Sequence, residues 1–176
     1  MCSIISSSEK YPNKKSHFAC KLEVFEPVEN IIIPDEIYNI IKTHLDKRNT
    51  KYELCTLENI GGILSHNNLF QYTNHKVQIY CHISGSSPLT LSKETDDTLI
   101  NMFGIVCELY NKHKPEYRTG FINYSYIIHK LFKILNMPQH ANYFALLKST
   151  QKLKEIDTVW EKICNDAGWK FYKSST

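Results

Sequence analysis

Basic side chains are the residues whose type and spacing indicate a chemistry in this sequence, and they concentrate in its C-terminal third. Residues 1–111 carry 10 Lys and Arg against 13 Asp and Glu, a net charge of −3. Residues 112–176 carry 11 against 5, a net charge of +6. Lysine ammonium groups attract phosphate regardless of base sequence, so this asymmetry indicates a polyanionic partner. The alternative is a lysine-rich surface that only keeps the protein soluble.

The candidate nucleic-acid contacts precede, occupy and follow one strongly periodic helical segment. Nearly all are lysines, and the scarcity of arginine argues against extensive base recognition through bidentate Arg–guanine contacts. They are Lys112, Lys114, Arg118, Lys130, Lys133, Lys148, Lys152 and Lys154. Aromatic side chains lie among them. If the lysines serve only solubility, we expect Tyr117, Phe121 and Tyr126 to form a patch that binds a protein partner.

Residues that could support catalysis or bind a metal lack the necessary spacing. The sequence contains no glycine-rich phosphate loop, nucleophile elbow or His-Glu-x-x-His motif. The six cysteines are isolated, so structural zinc lacks its usual paired ligands, and most of these thiols are expected in the core. Among the scattered histidines, we expect His44 and His82 near the core and His113 and His129 in solvent. The sequence therefore predicts no enzyme, small-molecule substrate, cofactor or metal site.

Helices must position these residues, because most of the hydrophobic periodicity has a helical repeat. Caps, prolines and glycines bound the segments. In one of them, Tyr124, Ile127, Ile128 and Leu131 lie on a single apolar face, with Lys130 on the polar side. The expected helices follow Pro34, follow Thr56, run from Ser92 or Thr95 to Pro115, cover residues 124–135 and 143–147, and run from Asp157 to Gly168.

Residues 72–83 fit two structures. Val77, Ile79 and Cys81 alternate as in a strand, while Ile79 and Ile83 also fit a helical stripe. Helical neighbours favour a helix. The sequence therefore predicts an all-α fold, an irregular bundle of about six or seven helices with at most a minor strand element in this segment.

Length and composition indicate a single globular unit. The chain has 176 residues, 42% of them hydrophobic, and lacks any run of about 18 apolar residues that would predict a membrane span. Its N-terminus lacks a signal-peptide pattern, so we expect an intracellular protein. We expect residues 1–16, which are rich in Ser and Lys, to form a flexible arm and residues 17–176 to form one helical domain.

One ten-residue segment resembles a known family. The run Asn-Tyr-Ser-Tyr-Ile-Ile-His-Lys-Leu-Phe over residues 123–132 is similar to the Asn-Tyr-Ser-aromatic helix of the poxvirus late transcription factor 3-like proteins of large DNA viruses. The resemblance extends over roughly residues 11–172. Further landmarks occur in the family's order: His17-Phe18, Ile33-Pro34, Leu147-Lys148-Ser149, Trp160 and Gly168-Trp169-Lys170-Phe171.

The sequence departs from the family pattern at its start. The family has an N-terminal zinc module with paired cysteines, and Cys2 and Cys20 do not replace it. The chain is therefore either the helical part of a longer protein or a homologue without that module. A zinc module followed by helices is also similar to general initiation factors whose second part is cyclin-like, so a cyclin-like bundle is a fold-level analogy.

The resemblance implies a viral late-gene transcription factor. It would act as a trans-activator with the viral RNA polymerase and other viral transcription factors, and its basic C-terminal surface would contact double-stranded DNA. The implied location is the viral factory in the host cytoplasm, with packaging in the virion left open. The alternative function is a structural or protein-interaction module of the virion or transcription machinery that does not bind DNA directly.

Overall fold

The computed structural model describes residues 11–174, and all of its regular structure there is helical. No strand occurs between residues 11 and 174, which confirms the all-α prediction. Short 3₁₀ turns cover Glu23–Phe25, Tyr52–Leu54 and Phe70–His75. The α-helices are α1 (Pro12–Leu22), α2 (Asp35–Lys47), α3 (Leu57–His66), α4 (Lys76–Ser84), α5 (Lys93–His113), α6 (Tyr124–Ile134), α7 (Pro138–Ala141) and α8 (Thr150–Ala167).

Most helix starts lie where the capping residues predict them. Thr56 forms a capping box with Asn59, in which each side chain accepts the other residue's backbone N–H, at 3.2 and 3.0 Å. Ser92 caps α5 by accepting the N–H of Thr95 at 3.1 Å. The ambiguous segment 72–83 forms the end of a 3₁₀ turn followed by α4, so the helical interpretation is confirmed.

Two predicted elements differ at their ends. Residues 12–16, expected within a flexible arm, form the first turns of α1, because Pro12 suits the first helical position. The rest of that arm, residues 1–10, lies outside the described residues. Asp157 does not begin the last helix. Ser149 caps α8 two turns earlier, where the buried stripe of this helix starts with Leu153.

The predicted short helix over residues 143–147 is wrong, since this segment lies outside the helices. Pro138 begins the short helix α7. Tyr143 instead forms tertiary hydrogen bonds. Its backbone carbonyl accepts the N–H of Leu57 at 3.2 Å, and its side-chain hydroxyl accepts the N–H of Leu89 at 3.2 Å. Tertiary contacts of this kind override the weak helical periodicity of so short a segment.

Helix α6 lies at the centre of the core. Ile127, Ile128, Leu131 and Phe132 are fully buried, and α6 packs against α1, α5 and α7. Helix α5 in turn packs against α1 and α8. The rings of Phe18 (α1) and Phe103 (α5) stack at 4.2 Å. This aromatic packing fixes the position of α5, whose C-terminal end carries several of the predicted contacts.

The chain turns back after α8. Gly168 has φ +71°, a left-handed conformation that ends the helix, as its position predicts. Trp169 and Phe171 then pack against the core. None of the helices in the described part of the chain is long and apolar enough to cross a membrane.

Candidate nucleic-acid interface

The C-terminal ends of α5 and α8 lie side by side and bring basic side chains together. The Lys112 Nζ donates to an Asp166 carboxylate oxygen at 2.6 Å, and His113 Nε2 lies 2.8 Å from the same oxygen. Lys112 and then His113 hold the pKa of the Asp166 carboxyl below its usual value. Lys162 lies one helical turn before Asp166, so it points to the same side of α8.

We call this region the α5/α8 end and define it by four exposed lysines. Two belong to α5 or directly follow it, one belongs to α8, and one follows α8 in the returning tail. They are Lys112, Lys114, Lys162 and Lys170. The sequence did not single out Lys162 and Lys170, because only the parallel packing of α5 and α8 brings them beside the predicted residues.

A second group of lysines lies at the opposite end of α8. Lys148, Lys152 and Lys154, which we call the α8 start, are exposed, and within residues 11–174 none of them forms an ion pair. Lys152 precedes Asp166 by 14 residues, which is about 21 Å along a helix axis. The exposed predicted lysines therefore form two groups, one at each end of α8, and they do not form one cluster.

Lys130 and Tyr126 are buried, so the predictions that they contact nucleic acid and a protein partner are wrong. The exposed fraction is 2% for Lys130 and 0% for Tyr126. The Lys130 Nζ lies 3.0 Å from an Asp157 carboxylate oxygen and donates to the Tyr172 carbonyl at 2.5 Å. The Tyr126 hydroxyl donates to the same Asp157 oxygen at 2.5 Å. The returning tail and α8 cover this side of α6, which the sequence pattern predicted to be polar.

The pKa shifts in this buried charge cluster agree with its hydrogen bonds. Burial alone would raise the pKa of Asp157, but donors from Tyr126, Ser174 and Lys130 outweigh it, and the pKa lies below its ordinary value. Burial lowers the pKa of Lys130, and the Asp157 carboxylate opposes that shift. Burial and Asp157 both raise the pKa of Tyr126. The cluster is a closed ion pair with its own donors and acceptors satisfied, and it joins α6, α8 and the tail.

Of the remaining predicted residues, Tyr117 and Arg118 lie in the loop between α5 and α6, and Lys133 lies in the last turn of α6. Tyr117 is 78% exposed, whereas Arg118 and Lys133 are half-buried. The Tyr110 hydroxyl donates to the Gly120 carbonyl at 2.7 Å and anchors the loop on the core. Tyr117 and Arg118 therefore project from a fixed turn beside the α5/α8 end.

Phe121 belongs to the core instead of an exposed aromatic patch. Its ring packs edge-on against Tyr110 at 5.2 Å and Phe103 at 6.0 Å, and the Lys14 ammonium lies 4.4 Å from its centroid. Of the three aromatic residues predicted to bind a partner, only Tyr117 is exposed.

The Asn-Tyr-Ser run has structural roles at the start of α6. Asn123 caps the helix by accepting the Tyr126 N–H at 3.3 Å. Tyr124 stacks on Phe103, and the Ser125 hydroxyl donates to the Glu58 carboxylate. The motif therefore begins the central helix and joins it to α3 and α5.

No side-chain cluster suited to a metal ion was found within the described residues. His129, expected in solvent, is half-buried and lies 2.8 and 3.1 Å from the carbonyls of Ala141 and Phe144 through Nδ1. Since both partners are acceptors, Nδ1 carries the proton, and burial lowers the pKa of this imidazole. Its role is to join α6 to the α7 region. His82, expected near the core, is exposed and stacks on Tyr38 at 3.9 Å.

Comparison with known proteins agrees with the resemblance of the 123–132 segment. The family described as "Poxvirus Late Transcription Factor VLTF3 like" matches residues 6–171. The chain belongs to this family. The match covers every helix of the bundle, from α1 through α8.

Relatives within this family come from other large DNA viruses. "Putative transcription factor R429" of Acanthamoeba polyphaga mimivirus is 30% identical over 90% of this chain and 37% of its own length. "Putative transcription factor A494R" of Paramecium bursaria Chlorella virus 1 is 30% identical over 89% of this chain and 44% of its own length. The chain thus spans less than half of each of these two relatives. No solved structure matches the chain, so the cyclin-like analogy stays a prediction.

Proposed function

We propose that this chain is the helical part of a late-gene transcription factor and that it contacts double-stranded DNA. The factor acts at the viral factory with the viral RNA polymerase and other viral transcription factors. Family membership and the names of the relatives support the transcription role. The exposed lysines at the α5/α8 end and at the α8 start support the DNA contact. Viral transcription acts on a polyanionic template, and these lysines supply the matching charge.

The spacing of the two lysine groups is the observation that best supports the proposed DNA contact. They lie about 21 Å apart along α8, which equals about six base pairs at roughly 3.4 Å per pair. Phosphates of one duplex recur over that distance, so both groups can contact the same DNA. Lysine contacts of this kind position a protein on DNA without selecting a sequence.

The test is fluorescence anisotropy with a labelled AT-rich duplex across a salt series. The unmodified protein should bind, and its affinity should fall steeply as salt rises. The double variant Lys152→Glu/Lys154→Glu should bind at least about tenfold more weakly, and the slope of log affinity against log salt should decrease by about 2.

A matched variant separates a local contact from an effect of net charge. Lys47 and Lys51 are exposed and lie in the acidic part of the chain. Lys47→Glu/Lys51→Glu changes the net charge equally and should retain most of the affinity. Equal losses in the two double variants would reject the proposed surface. Absence of binding even at low salt would favour the protein-interaction module without direct DNA contact.

A further inference from the structure

An apolar ridge lies between α1 and α2, in a segment that contains no Lys or Arg. Val28 is 54% exposed and Ile32 is 98% exposed, in a segment that is neither helix nor strand. Exposing aliphatic side chains so close together in the sequence is unfavourable in water unless another molecule covers them. We define this ridge as residues 26–32.

The ridge borders a deep cleft. About 510 Å³ of space lies between residues 23–30 on one side and residues 73–78 and 88–90 on the other. Glu23, Glu26 and Val28 line it from the ridge side, and Lys76 and Gln78 line it from the opposite side, so its wall carries two carboxylates against one ammonium group. Its volume falls within the range of sites that hold a ligand or several side chains of a partner.

The ridge is held in place by a side chain of α4. The Ile31 N–H donates to Gln78 Oε1 at 3.2 Å, and Gln78 Nε2 donates to the Ile31 carbonyl at 2.7 Å. Both backbone polar groups of Ile31 are thereby satisfied while its neighbour Ile32 stays in solvent. A surface fixed before binding loses less conformational entropy when a partner arrives.

Charge indicates what covers this surface. From residue 22 to residue 41 the sequence carries five carboxylates and no Lys or Arg. Within the described residues none of these five forms an ion pair. They are Glu23, Glu26, Glu29, Asp35 and Glu36. This field repels nucleic acid and repels the same surface of a second copy, and it attracts a cationic partner.

We propose that the ridge and its cleft dock a segment of another protein that alternates lysine or arginine with aliphatic side chains. The aliphatic groups would cover Val28 and Ile32 and enter the cleft, and the cationic groups would neutralise Glu26 and Glu29. This surface is separate from the α5/α8 end and the α8 start. The protein therefore binds DNA with its C-terminal part and a basic protein segment with its N-terminal part.

The test uses a fluorescein-labelled peptide of twelve residues that alternates lysine and valine, titrated with the full chain. A second peptide has glutamate in place of every lysine. The basic peptide should bind, and the acidic peptide should not. Glu26→Lys/Glu29→Lys should weaken the binding of the basic peptide at least about tenfold, and Val28→Ser/Ile32→Ser should weaken it at least about fivefold.

Glu108→Lys is the control for a charge reversal elsewhere on the surface, and it changes the net charge by +2 against +4 in Glu26→Lys/Glu29→Lys. Glu108 is exposed and lies 15 residues into α5, about 22 Å from the end of that helix nearest the cleft. It should bind the basic peptide as the unmodified protein does. All variants alter exposed residues, so their circular dichroism should stay unchanged. The uncharged variant Val28→Ser/Ile32→Ser should also keep its affinity for duplex DNA, which separates this proposal from the DNA proposal.

Three results would overturn the docking proposal. The first is equal binding of the acidic and basic peptides. The second is an equal loss of peptide affinity in Glu108→Lys and Glu26→Lys/Glu29→Lys. The third is a dimer in sedimentation that Val28→Ser/Ile32→Ser dissociates, because a second copy of the chain would then cover the ridge.

Discussion

Lys130 and Asp157 form a charge pair in a region from which α6, α8 and the returning tail exclude most water. The Asp157 carboxylate receives hydrogen bonds from Tyr126 and Ser174 in addition to the 3.0 Å contact with Lys130. Such a pair stabilises the fold little relative to apolar residues, but loss of one partner leaves the other charge buried and uncompensated. The pair therefore specifies how these three parts of the chain meet.

Replacing Lys130 tests this role at the scale of a single residue. Lys130→Met should lower the free energy of unfolding by about 3 kcal/mol, because Asp157 keeps its other donors but loses its counter-charge. Lys133→Met, on the same helix and without an ion pair among the described residues, should change it by less than about 0.5 kcal/mol. Urea denaturation followed by circular dichroism measures both. Equal effects would show that the buried pair has no structural role.

Two glycines show how helix position decides the effect of the same substitution. Gly62 lies inside α3 and Gly168 ends α8 with φ +71°, and an added Cβ meets no atom within 4 Å at either position. Gly62→Ala should therefore stabilise the protein by roughly 0.5–1 kcal/mol through helix propensity. Gly168→Ala should destabilise it by about 1 kcal/mol because alanine disfavours the left-handed conformation. Thermal unfolding should show midpoint shifts of opposite sign. Shifts of the same sign would contradict these assignments.

Local signals predicted the elements well and the burial of their polar residues less well. Thr56, Ser92 and Asn123 cap helices through hydrogen bonds to residues three positions away, so sequence spacing suffices to find them. Lys130 has the spacing of an exposed lysine on an amphipathic helix. What covers it is α8 together with the returning tail, in which Tyr172 lies 42 positions later in the sequence, after the Gly168 turn. Periodicity within one helix carries no information about such a distant segment.

The candidate site shows the same limit at the scale of the molecule. Sequence charge located the basic part of the chain and five of the eight exposed lysines in its described residues, but the grouping depends on α5 and α8 ending together at Asp166. That packing adds Lys162 and Lys170 to the α5/α8 end and separates it from the α8 start. The acidic residues between α1 and α2 belong to neither group, so opposite charges are carried by different segments of one small bundle.

This arrangement predicts that the two lysine groups contact one duplex together. Lys114→Gln/Lys162→Gln/Lys170→Gln and Lys148→Gln/Lys152→Gln/Lys154→Gln each remove three positive charges. On a 16-base-pair duplex, which extends well beyond the separation of about 21 Å, each triple variant should reduce the salt slope by about 2 to 3, because up to three phosphate contacts are lost. Combining the two triples should reduce it by about the sum. If one triple leaves the slope unchanged, only the other group contacts DNA, and the distance between the groups has no role in binding.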